Sequence, residues 1–205
     1  MPKYILHYFE GNGRAIIARA LLSSVKADWI NESFKMGDWP KIKKSGLCEY
    51  EQVPILEVDG KKYSQSHAIN LYLAEVFNLM GKDPEENYQI RNVLMCFNDF
   101  MQPIWDFMYN PWDKKLKKKA EEKLKFFFGK LEKKYVDLGK GKYFIGDKFT
   151  LADIVVGAAL PGAVDDLELK ENPCKEVAPN LGKLIKRLKE NELKEFYEKY
   201  YIKYT

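Results

Sequence analysis

The chain is poor in cysteine: Cys48, Cys96 and Cys174 are the three among 205 residues, and no two of them form a C-x-x-C pair. An odd, scattered set excludes a disulfide framework and a cysteine-built zinc site, and a reducing compartment is the expected home. Long apolar runs are missing too, since no stretch approaches the roughly 18 to 20 residues that cross a bilayer. The opening residues lack a basic segment followed by an apolar one, so no secretory leader is expected and the location is read as cytoplasmic. Histidines number two; His7 alternates along a strand and His67 follows a helix start, so they suggest no shared site. Internal repeats and low-complexity segments are absent.

What the chain does have is enough apolar residue, 46%, for one large core or two small ones. The formal net charge is +4, and most of the excess lies between Lys114 and Lys134. There Leu116, Ala120, Leu124, Phe127, Leu131 and Tyr135 form a helical stripe, so the lysines are expected to clothe the opposite, solvated face. Neither nucleic acid nor membrane is expected as a partner, and no nucleic-acid motif with stacking aromatics accompanies the lysines.

The first eighty residues alternate short strands and helices. A strand over 3–9 leads to a helix over 14–24 with Ile16, Ile17, Ala20 and Leu21 on one face. A strand over 29–34 is followed by an irregular, partly helical stretch near 39–44. The run 53–58 turns at Asp59-Gly60 into a strand over 61–65, a hairpin signal. Ser66 is placed to cap a helix carrying Ile69, Leu73, Val76 and Phe77. Residues 80–86 read as a linker, and helical periodicity dominates beyond it. Ile90, Leu94, Phe97, Met101, Trp105 and Met108 share one stripe, with a kink expected at Pro103. Thr150-Leu151-Ala152-Asp153 matches a capping box opening the apolar helix 154–160, and Pro179 opens the last helical region, which ends among Tyr197, Tyr200, Tyr201 and Tyr204. The fold class is therefore α/β plus all-α: a βαβ-αββα domain over 1–79 with a mixed sheet, then an all-helical domain over 87–205.

Three segments together resemble the glutathione-binding half of a cytosolic glutathione S-transferase: Tyr8 before Gly13-Arg14, the strand Val53-Pro54-Ile55-Leu56-Glu57-Val58 with its Asp59-Gly60 turn, and Ser64-Gln65-Ser66 opening a helix. Gly146-Asp147 with Thr150-Leu151-Ala152-Asp153 resembles the capped central helix of that family's second domain. The resemblance covers nearly the whole chain and implies a thioredoxin-like first domain with a cis peptide before Pro54. Met1-Pro2-Lys3-Tyr4 and Gly37-Asp38-Trp39-Pro40 resemble the sigma class.

The resemblance implies roles residue by residue. A thiol with an intrinsic pKa of about 8.5 is only a few per cent thiolate at neutral pH. Tyr8 would donate a hydrogen bond to the sulfur, with Arg14 supporting the field or the loop. Phe9 lies beside it. Ser66, supported by Gln65, would hold one carboxylate of glutathione at a helix N-terminus. Val53, before Pro54 and beside Gln52, would pair its backbone with the cysteinyl part. Trp39 and Lys43 would meet the second carboxylate, and Asp99 would reach the glutathione amino group from a partner subunit. The electrophile pocket would be lined by Phe9, Gly13, Met101, Trp105 and Met108, with the C-terminal tyrosines closing it.

The implied activity is conjugation of glutathione, as cosubstrate, to hydrophobic electrophiles, with peroxidase or isomerase side activity. No prosthetic group is implied. A homodimer is, with Tyr50 as a candidate key residue. A non-catalytic binding or assembly protein of the same fold is the alternative, and a carrier of apolar molecules would coexist with catalysis. The chain departs from the sigma pattern in a longer Gly46–Gln52 loop and in Glu51, where glycine is common. Met95 and Asn98 stand where metal-holding acids sit in some sigma members, so no metal is expected and prostaglandin isomerisation is disfavoured. No cysteine lies near Tyr8, which argues against cysteine-based chemistry.

Overall fold

The computed structural model describes residues 3–139, 141–169 and 173–202, so Tyr204 lies outside the described residues. The described chain separates into two compact units, one running to Asn78 and including Leu193–Ile202, the other Leu79–Glu192. The ten-residue segment from Leu193 thus joins the first unit, whereas the sequence reading grouped it with the helical domain.

In the first unit, β1 (Tyr4–Phe9), α1 (Ile16–Ser24) and β2 (Trp29–Phe34) are followed by α2 (Trp39–Lys43), β3 (Ile55–Val58), β4 (Lys61–Tyr63) and α3 (Ser66–Val76). The sheet order is β2-β1-β3-β4; β1 runs parallel to β2, while β3 is antiparallel to both β1 and β4. Tyr4, Leu6 and Tyr8 are buried on one face of β1, as the period-two geometry of a strand requires. That face meets the Tyr8–Arg19 contact from α1 and the Tyr4–Phe77 ring pair just past α3, 5.5 Å between centroids. The opposite face carries Phe9 and Phe34, packed on Trp39 of α2.

Several boundaries differ from the sequence reading. β3 starts at Ile55 rather than 53, because Pro54 has no N–H for a ladder; the Val53–Pro54 peptide is cis. β4 ends at Tyr63, and Gln65 follows with φ +71, outside the strand region. Ser66 is the first residue of α3 rather than its cap. Val76 is exposed, and α3 buries Ile69, Asn70, Leu73 and Ala74 instead. The final helical segment, α10 (Lys194–Lys199), packs on α1, and the Tyr200 ring lies tilted against Trp29 with centroids 4.6 Å apart, so Tyr200 sits within the first unit.

The second unit is helical. α4 (Pro84–Tyr109) begins inside the stretch read as a linker, because Asp83 accepts a hydrogen bond from the Glu86 N–H, proline occupies the first turn, and Glu85 and Glu86 complement the dipole. It continues through Pro103. α5 (Lys114–Leu138) buries Ala120, Leu124, Phe128, Leu131 and Tyr135; Phe128, not Phe127, is the fully buried ring. α6 (Leu151–Ile154) carries the capping box: Asp153 accepts from the Thr150 N–H at 2.9 Å, the Thr150 hydroxyl at 3.1 Å and the Phe144 N–H at 2.8 Å. Burial pushes the Asp153 carboxyl up to about 7 against those bonds. Val155–Ala159 widens into a π turn before α7 (Leu160–Asp166), where Pro161 has no N–H to return to residue 157. α8 (Cys174–Val177) and α9 (Pro179–Glu190) complete the unit. No helix among the described residues is long and apolar enough to cross a membrane.

Candidate active site

Strand direction gathers the candidate residues of the first unit at one end of the sheet. β1 and β2 are parallel and in register, with Tyr8 opposite Ser33 and Phe9 opposite Phe34, so their carboxyl ends lie together and lead to Gly13-Arg14 and to α2. β3 runs the other way with Ile55 opposite His7, which puts the Gln52-Val53-Pro54 step beside that end of β1. β4 returns antiparallel, and Gln65-Ser66 emerge there as well. The carboxyl end of parallel strands is where open α/β sheets bind ligands.

Tyr8 is 9% exposed, and its phenolic oxygen accepts a hydrogen bond from the Arg14 backbone N–H at 2.9 Å. That amide lies in the helical turn that opens α1, where N–H groups lack intrahelical partners. The bond uses one oxygen lone pair, and the donated N–H makes the phenol a stronger donor. Gly13 explains the close approach. Its φ is +39°, and a Cβ there would stand 2.4 Å from the Tyr8 oxygen. Gly13, expected in the electrophile pocket, is thus packed on the hydroxyl itself.

The sequence reading missed Arg19. It is 1% exposed, donates to the carbonyl of Phe9 at 3.0 Å, to the carbonyl of Gly11 and to Asn31 Oδ1 at 2.9 Å, and stands 5.6 Å from the Tyr8 ring centroid. It braces the loop from β1 to α1 and lays a cation over the ring. The available signal was a lone charge inside the apolar run Ile16–Leu22.

The remaining residues fall into smaller groups. Phe9 meets Trp39 edge-on at 5.4 Å, on the sheet face opposite Tyr8. Lys43 Nζ pairs with Glu51 Oε2 at 3.1 Å, and Glu51 holds φ +52°, in the left-handed region that favours glycine. Gln52 and Gln65 are exposed and Ser66 is buried at the head of α3. In the second unit, Asp99 and Met108 are exposed on α4, Trp105 is half-buried and Met101 is buried. Tyr50 is 57% exposed. Among the described residues no group of three His, Cys, Asp or Glu side chains is arranged to hold a metal ion.

Comparison with known proteins points the same way. Residues 98–200, half of the chain, match the family described as "Glutathione S-transferase, C-terminal domain". Probable glutathione S-transferase 5 of Caenorhabditis elegans is 31% identical over 76% of this chain and 78% of its own length. S-crystallin SL11 of Nototodarus sloanii is 32% identical over 84% and 87%. The solved structure of a sigma class transferase from Fasciola hepatica superposes with a TM-score of 0.80 at 26% identity, covering 97% of this chain and 96% of that one.

Proposed function

We propose that this chain, which belongs to the glutathione S-transferase family, activates the thiol of glutathione through the Tyr8 hydroxyl for attack on hydrophobic electrophiles. The observation that carries this reading is the Tyr8 oxygen held at 2.9 Å from the Arg14 N–H, with glycine at position 13 leaving room for it. The O–H donates to the sulfur and stabilises the thiolate as the thiol proton leaves to solvent. Sulfur then forms its bond to the electrophilic carbon, and the leaving group departs with the bonding pair. A two-unit drop of the thiol pKa requires about 2.7 kcal/mol, within reach of a charge-assisted hydrogen bond in a partly dry site.

Glutathione would be held by Ser66 and Gln65 at one carboxylate, by the Val53 backbone beside Gln52 and Pro54 at its centre, and by Trp39 and Lys43 at the other carboxylate, with Phe9 beneath. Asp99 of a second copy would meet its amino group, and the exposure of both Asp99 and Tyr50 suits a homodimer. Met101, Trp105 and Met108 would receive the electrophile. The sigma-like class, the cytoplasmic location and the peroxidase or isomerase side activities belong to the same reading. The S-crystallin relative supports one alternative, a transferase fold kept for binding or assembly.

The test is retention on immobilised glutathione and turnover of an electrophilic aryl chloride, each for the parent and for Tyr8→Phe. The parent should bind and turn over; Tyr8→Phe should bind with turnover reduced roughly 100-fold. A parent that neither binds nor turns over supports the assembly alternative.

A further inference from the structure

The loop that presents the Arg14 N–H to Tyr8 is tied to the far end of the chain. Asn12, 2% exposed, donates from Nδ2 to the Ile202 carbonyl at 2.6 Å and accepts at Oδ1 from the Ile202 N–H at 3.1 Å. The side-chain amide thus pairs with one residue's backbone as a neighbouring strand would, across 190 positions of sequence. Its neighbours in the chain are both committed: Gly11 gives its carbonyl to Arg19, and Gly13 lies against the Tyr8 oxygen at φ +39°. The C-terminal partner is anchored as well, because α10 packs on α1, the Tyr200 ring lies tilted against Trp29, and the Tyr200 and Tyr201 N–H groups both donate to the Phe196 carbonyl at 2.9 Å.

We propose that Asn12 is a positioning residue for thiol activation, and that the C-terminal segment works through it to set the Tyr8–Arg14 hydrogen bond. This rests on the reading of Tyr8 as the thiol's donor. The Glu10 N–H still donates to the Phe34 carbonyl at 3.0 Å, but residues 11 and 12 join no ladder, so the direction of the Arg14 amide depends on what else fixes the loop. Arg19 fixes it from the α1 side, and the Asn12–Ile202 pair fixes it from the chain terminus. Losing that pair leaves a buried side-chain amide and a half-buried backbone unit to find other partners, and the loop is then released to move. The charged groups that the described contacts bring to Tyr8 are Arg14, through its own loop, and Arg19 from α1; neither is altered by the variants below.

The experiment is the pH dependence of kcat/KM for glutathione with an aryl chloride, measured on the full chain as parent, Asn12→Ala and Ile202→Pro. The proline removes the backbone donor at 202 and leaves Asn12 in place, so the pair is broken from each side. Both variants should move the acid limb of the profile upward by about one pH unit, a tenfold lower kcat/KM below it, while KM for glutathione changes less than twofold. If either variant folds and keeps the parent's acid limb, the proposal is overturned, even where its melting temperature has dropped. A parent without glutathione-dependent turnover defeats the underlying Tyr8 reading instead, before any variant is compared.

Discussion

The Tyr8 oxygen and the Gly13 backbone are so close that position 13 has no room for a side chain: a Cβ there would lie 2.4 Å from the hydroxyl and 3.1 Å from the ring. The glycine's positive φ and the tyrosine's placement are one arrangement, in which the turn after β1 passes close enough for the Arg14 amide to reach the phenol.

Gly13→Ala should therefore damage the reaction as much as changing Tyr8. The methyl group and the left-handed backbone together cost on the order of 1–2 kcal/mol of stability, and the ring must swing away. Turnover should fall roughly 100-fold, as for loss of the donor, with glutathione retention preserved. Kinetics and a thermal melt on the variant check this. Unchanged turnover would show that the hydroxyl has freedom the structure denies it.

Lys43 is engaged by Glu51, 3.1 Å away, and in the proposed function Lys43 is one of the groups that meet a glutathione carboxylate. Glu51 also holds φ +52°, which glycine adopts without cost. Glu51→Gly should lower KM for glutathione about two- to fivefold at low salt, the scale of an exposed ion pair, and should raise stability slightly. Glutathione esterified at the carboxylate assigned to Trp39 and Lys43 should show no such gain. An equal gain with the ester would mean that Lys43 is not the group responsible.

Asp166 gives a pH signature in the helical unit. Burial, with Asp165 adding to it, pushes its carboxyl up to about 7 from 3.8, and its Oδ1 has no hydrogen-bond partner among the described residues. The folded carboxyl keeps its proton up to about pH 7, while the unfolded one releases it near 4, so the folded state binds the extra proton between those values. Its contribution to stability is present below about pH 4, declines as pH rises through that window and is level above it. Asp166→Asn should consequently stabilise the protein at pH 8 by on the order of 1–3 kcal/mol and have little effect at pH 4. Urea unfolding at the two pH values measures it; an equal effect at both would contradict the assignment.

The succession of strands and helices and the Thr150–Asp153 box were legible because each rests on local chemistry, alternation in one case and a cap with its reciprocal acid in the other, whereas the cis peptide before Pro54 was implied by the family resemblance. Tyr8 with Gly13-Arg14 was legible as a pattern, but the hydrogen bond that joins them was not. Its formation depends on a loop whose shape is set by Arg19 and by Ile202, and a pairing across 190 residues leaves no trace in periodicity. The Glu51–Lys43 pair escaped for a similar reason, since the left-handed φ at Glu51 comes from the loop as a whole. The start of α4 at Pro84 was readable in principle, from Asp83, Pro84 and Glu86, and was obscured by the glycine and polar residues just before it.

Activation of the thiol is measured most directly by titrating it in the bound state. Thiolate absorbance of glutathione in complex with the parent should give a pKa about two units below its ordinary value near 8.5, and Tyr8→Phe should return it most of the way. A thiol that titrates at its ordinary value in the parent, or equally low in Tyr8→Phe, would contradict the account.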